Sequence, residues 1–216
     1  MICPDLQLVQ VNGKAIGYVD RVKFLGLYVD SALSFKYHIR LLKYTLAAII
    51  PLMKRLQYYA PPGWRRIYFS YFHSHLSFMC SIWGNVCHST LRELQILQNR
   101  ALKLLFGLDY CTPSVTVYTK TDVLPISHTI KYYSLLLGFK IVNSLTRVRS
   151  SYQTFGMVHD HNTRHRGEIV LPNVNSTTYG RMGVYFSIAL EFNGLPTSIK
   201  MSATVGEFRI KLLPYV

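Results

Sequence analysis

The spacing of apolar residues along this chain changes period once, and that change limits the folds open to it. Before residue 34 the pattern is short and strand-like. Leu6, Leu8 and Val11 lead into Asn12-Gly13, the favoured pair for a type I′ hairpin turn, with Ala15, Ile16 and Tyr18 as the return strand. Residues 22–29, Val-Lys-Phe-Leu-Gly-Leu-Tyr-Val, form a second β run in which Gly26 marks a bulge or a close backbone approach. From Ile39 the apolar residues fall at Leu42, Leu46, Ile49, Met53 and Leu56, the three-or-four spacing of one helix face. Ser31 or Ser34 is placed to cap this helix, and Pro51 to kink or break it. The predicted fold class is mainly α: a small N-terminal β-hairpin, a helical bundle and an irregular C-terminal region.

Further helices follow from the same spacing. Pro61-Pro62-Gly63 is a turn. A helix restarts near Trp64, with Ile67, Tyr71 and His75 on one line and Tyr68, Phe72 and Leu76 beside it, reaching towards Trp83-Gly84. Thr90-Leu91-Arg92-Glu93 has capping-box spacing. Leu91, Leu94, Leu97, Ala101, Leu104 and Leu105 make the stripe behind it, and Gly107 is a C-terminal stop. A short helix is predicted towards Lys120, and another through Ile130, Tyr133, Leu137, Ile141 and Leu145. From Thr146 the texture turns to Arg, Ser, Asn, Thr and Gly. The domain reading is therefore 1–33, a β element; 34–149, a helical domain; and 150–216, a C-terminal extension, with a boundary near Ser150.

Half of the 216 residues are hydrophobic, enough for a sizeable core, yet 24 Lys and Arg face only 10 Asp and Glu, a formal +14. The imbalance points to a polyanionic partner, nucleic acid before an anionic membrane. The cations are dispersed in short pairs such as Lys54-Arg55 and Arg65-Arg66, so a folded basic surface is predicted rather than a tail. Tyrosines and Trp64 interleave with them, as in surfaces that hold phosphates and sugars. The plainer alternative is solvated helix faces with too few acids to balance them. No apolar run approaches the roughly 20 residues of a membrane span, and the N-terminus has no signal-peptide pattern. Cys3, Cys80, Cys87 and Cys111 show no paired spacing. An intracellular chain, cytoplasmic or nuclear, with reduced thiols is expected.

Catalytic chemistry has little to stand on. None of the ten carboxylates lies next to another or one residue away, whereas two-metal nucleotidyl transfer needs carboxylates that converge on both ions. His73, His75, Cys80, Cys87 and His88 read as buried thiols and helix-corner histidines rather than a zinc site. The His159, His161 and His165 group lies in a polar stretch beside Arg164 and Arg166. No nucleophile elbow and no phosphate loop occurs. No catalytic residue, metal site or cofactor is assigned.

The order of these features resembles the post-catalytic region of LINE-type, non-LTR retrotransposon reverse transcriptases, the jockey-like group especially. Val22-Lys23-Phe24-Leu25-Gly26-Leu27, then Asp30, Leu33-Ser34-Phe35 and His38-Ile39, resemble the primer-grip strand of the palm and the entry to the thumb. Residues 68–76 with Ile82-Trp83-Gly84 resemble the thumb helix. Residues 94–103, Leu-Gln-Ile-Leu-Gln-Asn-Arg-Ala-Leu-Lys, match the family's L-Q-x-x-Q-N-R-A pattern. His161-Asn162-Thr163-Arg164 resembles its H-x-x-x-R-type stretch, and Asn193-Gly194-Leu195-Pro196 with Ile199 and Phe208 its W-N-x-L-P and terminal phenylalanine. Phe192 stands where tryptophan is usual and His75 where proline is common. The resemblance implies a thumb-like bundle, with the fingers, the paired catalytic aspartates and the endonuclease lying upstream. The parent polymerase would use Mg²⁺. It also implies RNA or DNA template–primer and the upstream palm and fingers as partners, and no membrane. Phe24, Leu25 and Gly26 would appose the primer end. Lys43, Lys54, Arg55, Arg65, Arg66, Arg100 and Lys103 would meet nucleic acid. The other reading is a stand-alone or domesticated basic helical RNA-binding or scaffold protein.

Overall fold

The computed structural model describes residues 10–59, 63–146, 153–158, 167–176, 180 and 183–216. Asn12 and Gly13 hold φ of 51° and 75° and join β1 (Gln10–Val11) to β2 (Lys14–Ala15). The second β run folds back on itself instead of continuing. Leu25 and Gly26 also take positive φ, 48° and 90°, and separate β3 (Arg21–Phe24) from β4 (Leu27–Asp30), with Phe24 opposite Leu27. Gly26 is therefore a turn residue and not a bulge. The signal was a change of parity: Val22 and Phe24 are even, Leu27 and Val29 odd, as a two-residue turn requires. The two hairpins are separate two-stranded sheets; β3 is exposed throughout, and β4 buries Leu27 near the first helix.

Helix α1 (Lys36–Tyr59) begins without a serine cap. The Phe35 carbonyl accepts the Ile39 N–H at 3.0 Å, while the Ser34 amide and hydroxyl both turn back to the Asp30 carboxylate at 2.8 Å. Partial burial would raise the Asp30 pKa, but the hydrogen bonds from Ser34 and its neighbours hold it below the usual value. The helix runs unbroken through Pro51, whose ring is exposed; Leu42, Leu46, Ile50 and Met53 stay buried on the other side.

Residues 64–77 coil continuously as α2 (Trp64–Ile67), a π-helical turn (Tyr68–His73) and α3 (Ser74–Ser77). Tyr68, Phe72 and Leu76 enter the core, whereas Tyr71 and His75 face out. The run does not reach Trp83. Met79, at φ 50°, breaks it, and α4 (Cys80–Trp83) starts afresh. Trp83 is fully buried and its indole N–H donates to the Phe78 carbonyl at 2.8 Å. Gly84 is where this corner meets a later helix. A Cβ there would lie 2.5 Å from Ile130 Cγ2 and 2.4 Å from the Cys80 carbonyl, so only glycine fits.

Helix α5 (His88–Phe106) starts two residues ahead of Thr90, so the expected capping box does not form. Gly107 does end it: at φ 63°, with Leu108 N–H to Lys103 O at 2.8 Å and Gly107 N–H to Leu104 O at 3.2 Å, it closes a Schellman motif. α6 (Ser114–Thr121) and α7 (Ile126–Val142) follow. α7 is buried on almost every side because it serves two cores. Ile126 and Ile130 join the first, with Leu46, Met53, Phe72 and Leu102. Leu135, Leu136 and Phe139 join the second, with Phe192, Phe208 and Leu212. The Phe139 and Phe208 rings stack at 4.2 Å.

The second core draws on α9 (Val184–Asn193), α10 (Thr197–Lys200) and α11 (Val205–Leu212); α8 (Phe155–Val158) precedes them. α11 carries a capping box that the sequence reading passed over. Thr204 Oγ1 accepts the Glu207 N–H at 3.1 Å, and Glu207 Oε2 accepts the Ala203 N–H at 2.9 Å. Among the described residues no helix is long and apolar enough to cross a membrane.

Candidate nucleic-acid interface

The resemblance motifs divide into a buried polar part and an exposed basic part. In residues 94–103, Leu94, Gln98, Ala101 and Leu102 are buried. Gln98 Nε2 donates to the Tyr68 hydroxyl and to the Leu124 carbonyl, both at 2.9 Å. Gln95 Oε1 accepts the Ile126 N–H at 3.0 Å, at the first residue of α7. Gln95, Asn99 and the Tyr118 hydroxyl complete the cluster, and Asn99 Nδ2 donates to Ser114 Oγ at 3.0 Å. Burial pushes the Tyr68 phenol well above its ordinary range, with the Gln98 bond opposing, so it stays protonated as a hydrogen-bonding group. The two glutamines and the asparagine thus dock α6 and α7 onto α5. Asn193 does similar work in the second core: it accepts the Ile169 N–H and donates to the Ile169 carbonyl, both at 2.8 Å, like a strand partner.

The basic residues lie outside this frame. Lys54, Arg55, Arg66 and Arg100 are exposed and enter no ion pair among the described residues. Lys43 pairs with Glu93 at 2.8 Å, joining α1 to α5 near their starts. At the far end Trp64, just past α1, packs edge-on against Phe106, the last residue of α5, at 4.3 Å, so the two helices run side by side in one direction. At about 100° per residue, Lys36, Lys43 and Lys54 fall within about 20° of one line along α1, and Arg55 points about 100° away from it. By the same geometry Arg100 lies within about 20° of Glu93 on α5. Lys43, Lys54 and Arg100 therefore border one side of the α1–α5 seam.

Arg65 belongs elsewhere. It lies 3.6 Å from Asp122 and over the Trp64 and Phe69 rings at 5.7 and 5.8 Å, in a groove shared with α6 and α7. Lys103 donates to the Tyr110 carbonyl at 2.6 Å, which holds its charge at the end of α5. Phe24 and Leu25 are 63 % and 69 % exposed at the β3–β4 turn, and Gly26 rests on the Phe78 ring, where an added Cβ would find it at 3.5 Å. The primer-grip-like residues are thus an exposed tip beside the helix break at Met79, and Gly26 shares a groove with Leu41, Leu42 and Thr45 of α1.

The titratable cluster around residues 73–88 does not converge. Burial lowers the His73 pKa and lifts the Cys80 thiol to about 12, whereas Cys87 is exposed and held below its usual value by hydrogen bonds from Ser89. Among the described residues no three His, Cys, Asp or Glu side chains gather as for a metal ion. His159, His161, Arg164 and His165 lie outside the described residues. One feature that charge and periodicity did not reveal is a groove of about 690 Å³ on the outer side of α5, lined by Ile96, Asn99, Arg100, Lys103, Leu104, Leu108 and Tyr110. No protein family, curated protein or solved structure matches this chain.

Proposed function

We propose that this chain is the post-catalytic, thumb-type part of an RNA-directed DNA polymerase of the non-LTR retrotransposon kind, and that it grips template–primer backbone through α1 and α5. The observation that carries the reading is a formal +14 together with exposed cations on folded helices, Lys54, Arg55, Arg66 and Arg100, that enter no ion pair among the described residues. The order of the motifs supports it as well. Catalysis would belong to the upstream palm, with Mg²⁺ there, because this chain has no carboxylate doublet to hold two ions.

A second reading, a stand-alone basic helical RNA-binding or scaffold protein, draws support from the hairpins. β1 and β2 bury no side chain, and β3 none, so the helical cores need little from them.

Filter binding of an RNA–DNA primer–template at several salt concentrations tests the shared premise. Each phosphate neutralised releases counterions, at a slope near −0.9 per contact in a B-form duplex. Changing Lys54 and Arg100 together to Ala is expected to flatten the slope by up to about two units and to weaken all sequences alike. An unchanged slope rejects these residues as phosphate contacts. Absence of binding at low salt rejects the interface itself. Placing the chain behind an active upstream palm separates the two readings: loss of primer extension on deleting it favours the thumb.

A further inference from the structure

We propose that the groove beyond the C-terminal half of α5 is a stacking site for an unpaired nucleobase, with Tyr110 as its platform, so that the chain holds single-stranded as well as duplex nucleic acid. This rests on the nucleic-acid reading above and adds a ligand subsite to it.

Tyr110 is 84 % exposed, the highest among the described large hydrophobic side chains, yet its backbone is held. The Schellman turn at Gly107 reverses the chain out of α5. Thr112 N–H then bonds to the Asp109 carbonyl at 3.0 Å, and Asp109 Oδ1 accepts the Cys111 N–H at 3.2 Å. Lys103 ties the Tyr110 carbonyl back to the helix at 2.6 Å, and its ammonium sits 5.6 Å from the ring centroid. The carboxylate nearest the site in sequence is thus turned to its own loop, and two cations, Lys103 and Arg100, line the groove.

The rest of the lining suits a nucleotide. Leu104 and Leu108 give an apolar floor, Ile96 an apolar wall that is 58 % exposed, and Asn99 a polar edge. A volume of about 690 Å³ accommodates a nucleotide with its neighbours' backbone. A base stacks on an aromatic ring whatever its identity, while adjacent cations track the phosphates. Within a duplex both faces of each base are already stacked on its neighbours, so the occupant is an unpaired base of a single strand. Arg100 lies on both this groove and the α1–α5 seam, which makes the two surfaces continuous.

The test uses the full chain and a 12-nucleotide single-stranded RNA carrying 2-aminopurine, beside a blunt-ended RNA–DNA duplex of the same length. Tyr110→Ala is expected to weaken the single strand about 5- to 150-fold and to abolish the stacking-induced quench of the probe. Its salt slope should stay as in wild type, because no charge is lost. Tyr110→Phe should retain both affinity and quench, and duplex affinity should change less than about twofold in either variant. An unchanged single-strand affinity in Tyr110→Ala overturns the site, including the case in which the groove serves a protein side chain. Equal weakening of duplex and single strand overturns it too. If wild type binds duplex with a steep salt slope but not single strands, this inference fails alone. If it binds neither at low salt, the interface fails with it. The exposed position keeps Tyr110→Ala folded, which an unchanged urea midpoint verifies.

Discussion

Gln98 sits where an apolar stripe would ordinarily continue, fully buried between α5 and its neighbours. Its amide donates to Tyr68 and Leu124, and its Oε1 accepts from Gln95 at 3.1 Å. Gln98→Ala would leave the buried Tyr68 phenol short of a partner and the Leu124 carbonyl with Thr129 Oγ1, as well as a cavity. A loss of about 2–4 kcal/mol is expected, read as a lower urea midpoint at unchanged m-value. The pattern containing Gln98 was visible in the sequence, but its role was not, because the partners lie 30 and 26 residues away. His38 and His73 set a pH dependence. Among the described residues neither Nδ1 has a partner, and burial lowers both pKa values from 6.5. Near and below pH 6.5 the unfolded chain binds protons that the folded one refuses. Stability is therefore full above that value and declines as pH falls towards the lowered folded pKa, by up to about 1.4 kcal/mol per pH unit for each histidine. Urea midpoints between pH 7.5 and 5.5 should fall for wild type and flatten in a His38→Gln, His73→Gln double variant. Glu191, raised by burial, acts in the opposite direction, so the comparison with the variant isolates the imidazoles.

Elements were legible where the chain's own spacing decides them. The Asn12-Gly13 turn, the Gly107 stop and the switch to helical period all depend on residues within one or two turns of each other. Termini set by tertiary partners were not. Thr90-x-x-Glu93 and Thr204-x-x-Glu207 share one pattern, but only the second caps a helix. Glu93 is drawn to Lys43 across the seam, 50 positions away, and α5 has already begun at His88. The basic surface was legible in the sequence as an excess of cations; which of them share a side depends on how α1 and α5 pack. The hairpins carry the clearest expectation at this scale. Of β3 and β4 only Leu27 is buried, and a two-stranded ribbon is marginal alone. Amides of residues 21–30 are expected to exchange hydrogen orders of magnitude faster than those of residues 94–105, where Leu94, Ala101 and Leu102 are wholly buried. Equal protection would mean that the ribbon is stabilised by contacts beyond those described.

Across the whole molecule, the two cores meet in one helix. Ile126 and Ile130 at one end of α7 and Leu135 to Phe139 at the other cannot be ordered independently. Removing the Phe208 ring from its stack on Phe139 should therefore be felt in the first core. Phe208→Ala is expected to cost about 3–5 kcal/mol and to lower the unfolding midpoint reported by tryptophan fluorescence, although both tryptophans, Trp64 and Trp83, pack in the other core. A tryptophan signal that ignores the substitution would show two units unfolding separately. Gly138 adds to the constraint: a Cβ there would stand 2.7 Å from Ile188 on α9. The shared helix also makes length a matter of phase. One residue inserted between Tyr133 and Leu135 would turn everything beyond it by about 100° and advance it about 1.5 Å, swinging the second core around the first. Seven residues would restore the angle to within about 20° but separate the cores by about 10 Å. Chains descended from the same ancestor are thus expected to gain and lose residues elsewhere, and to keep the count between Ile130 and Leu135 fixed.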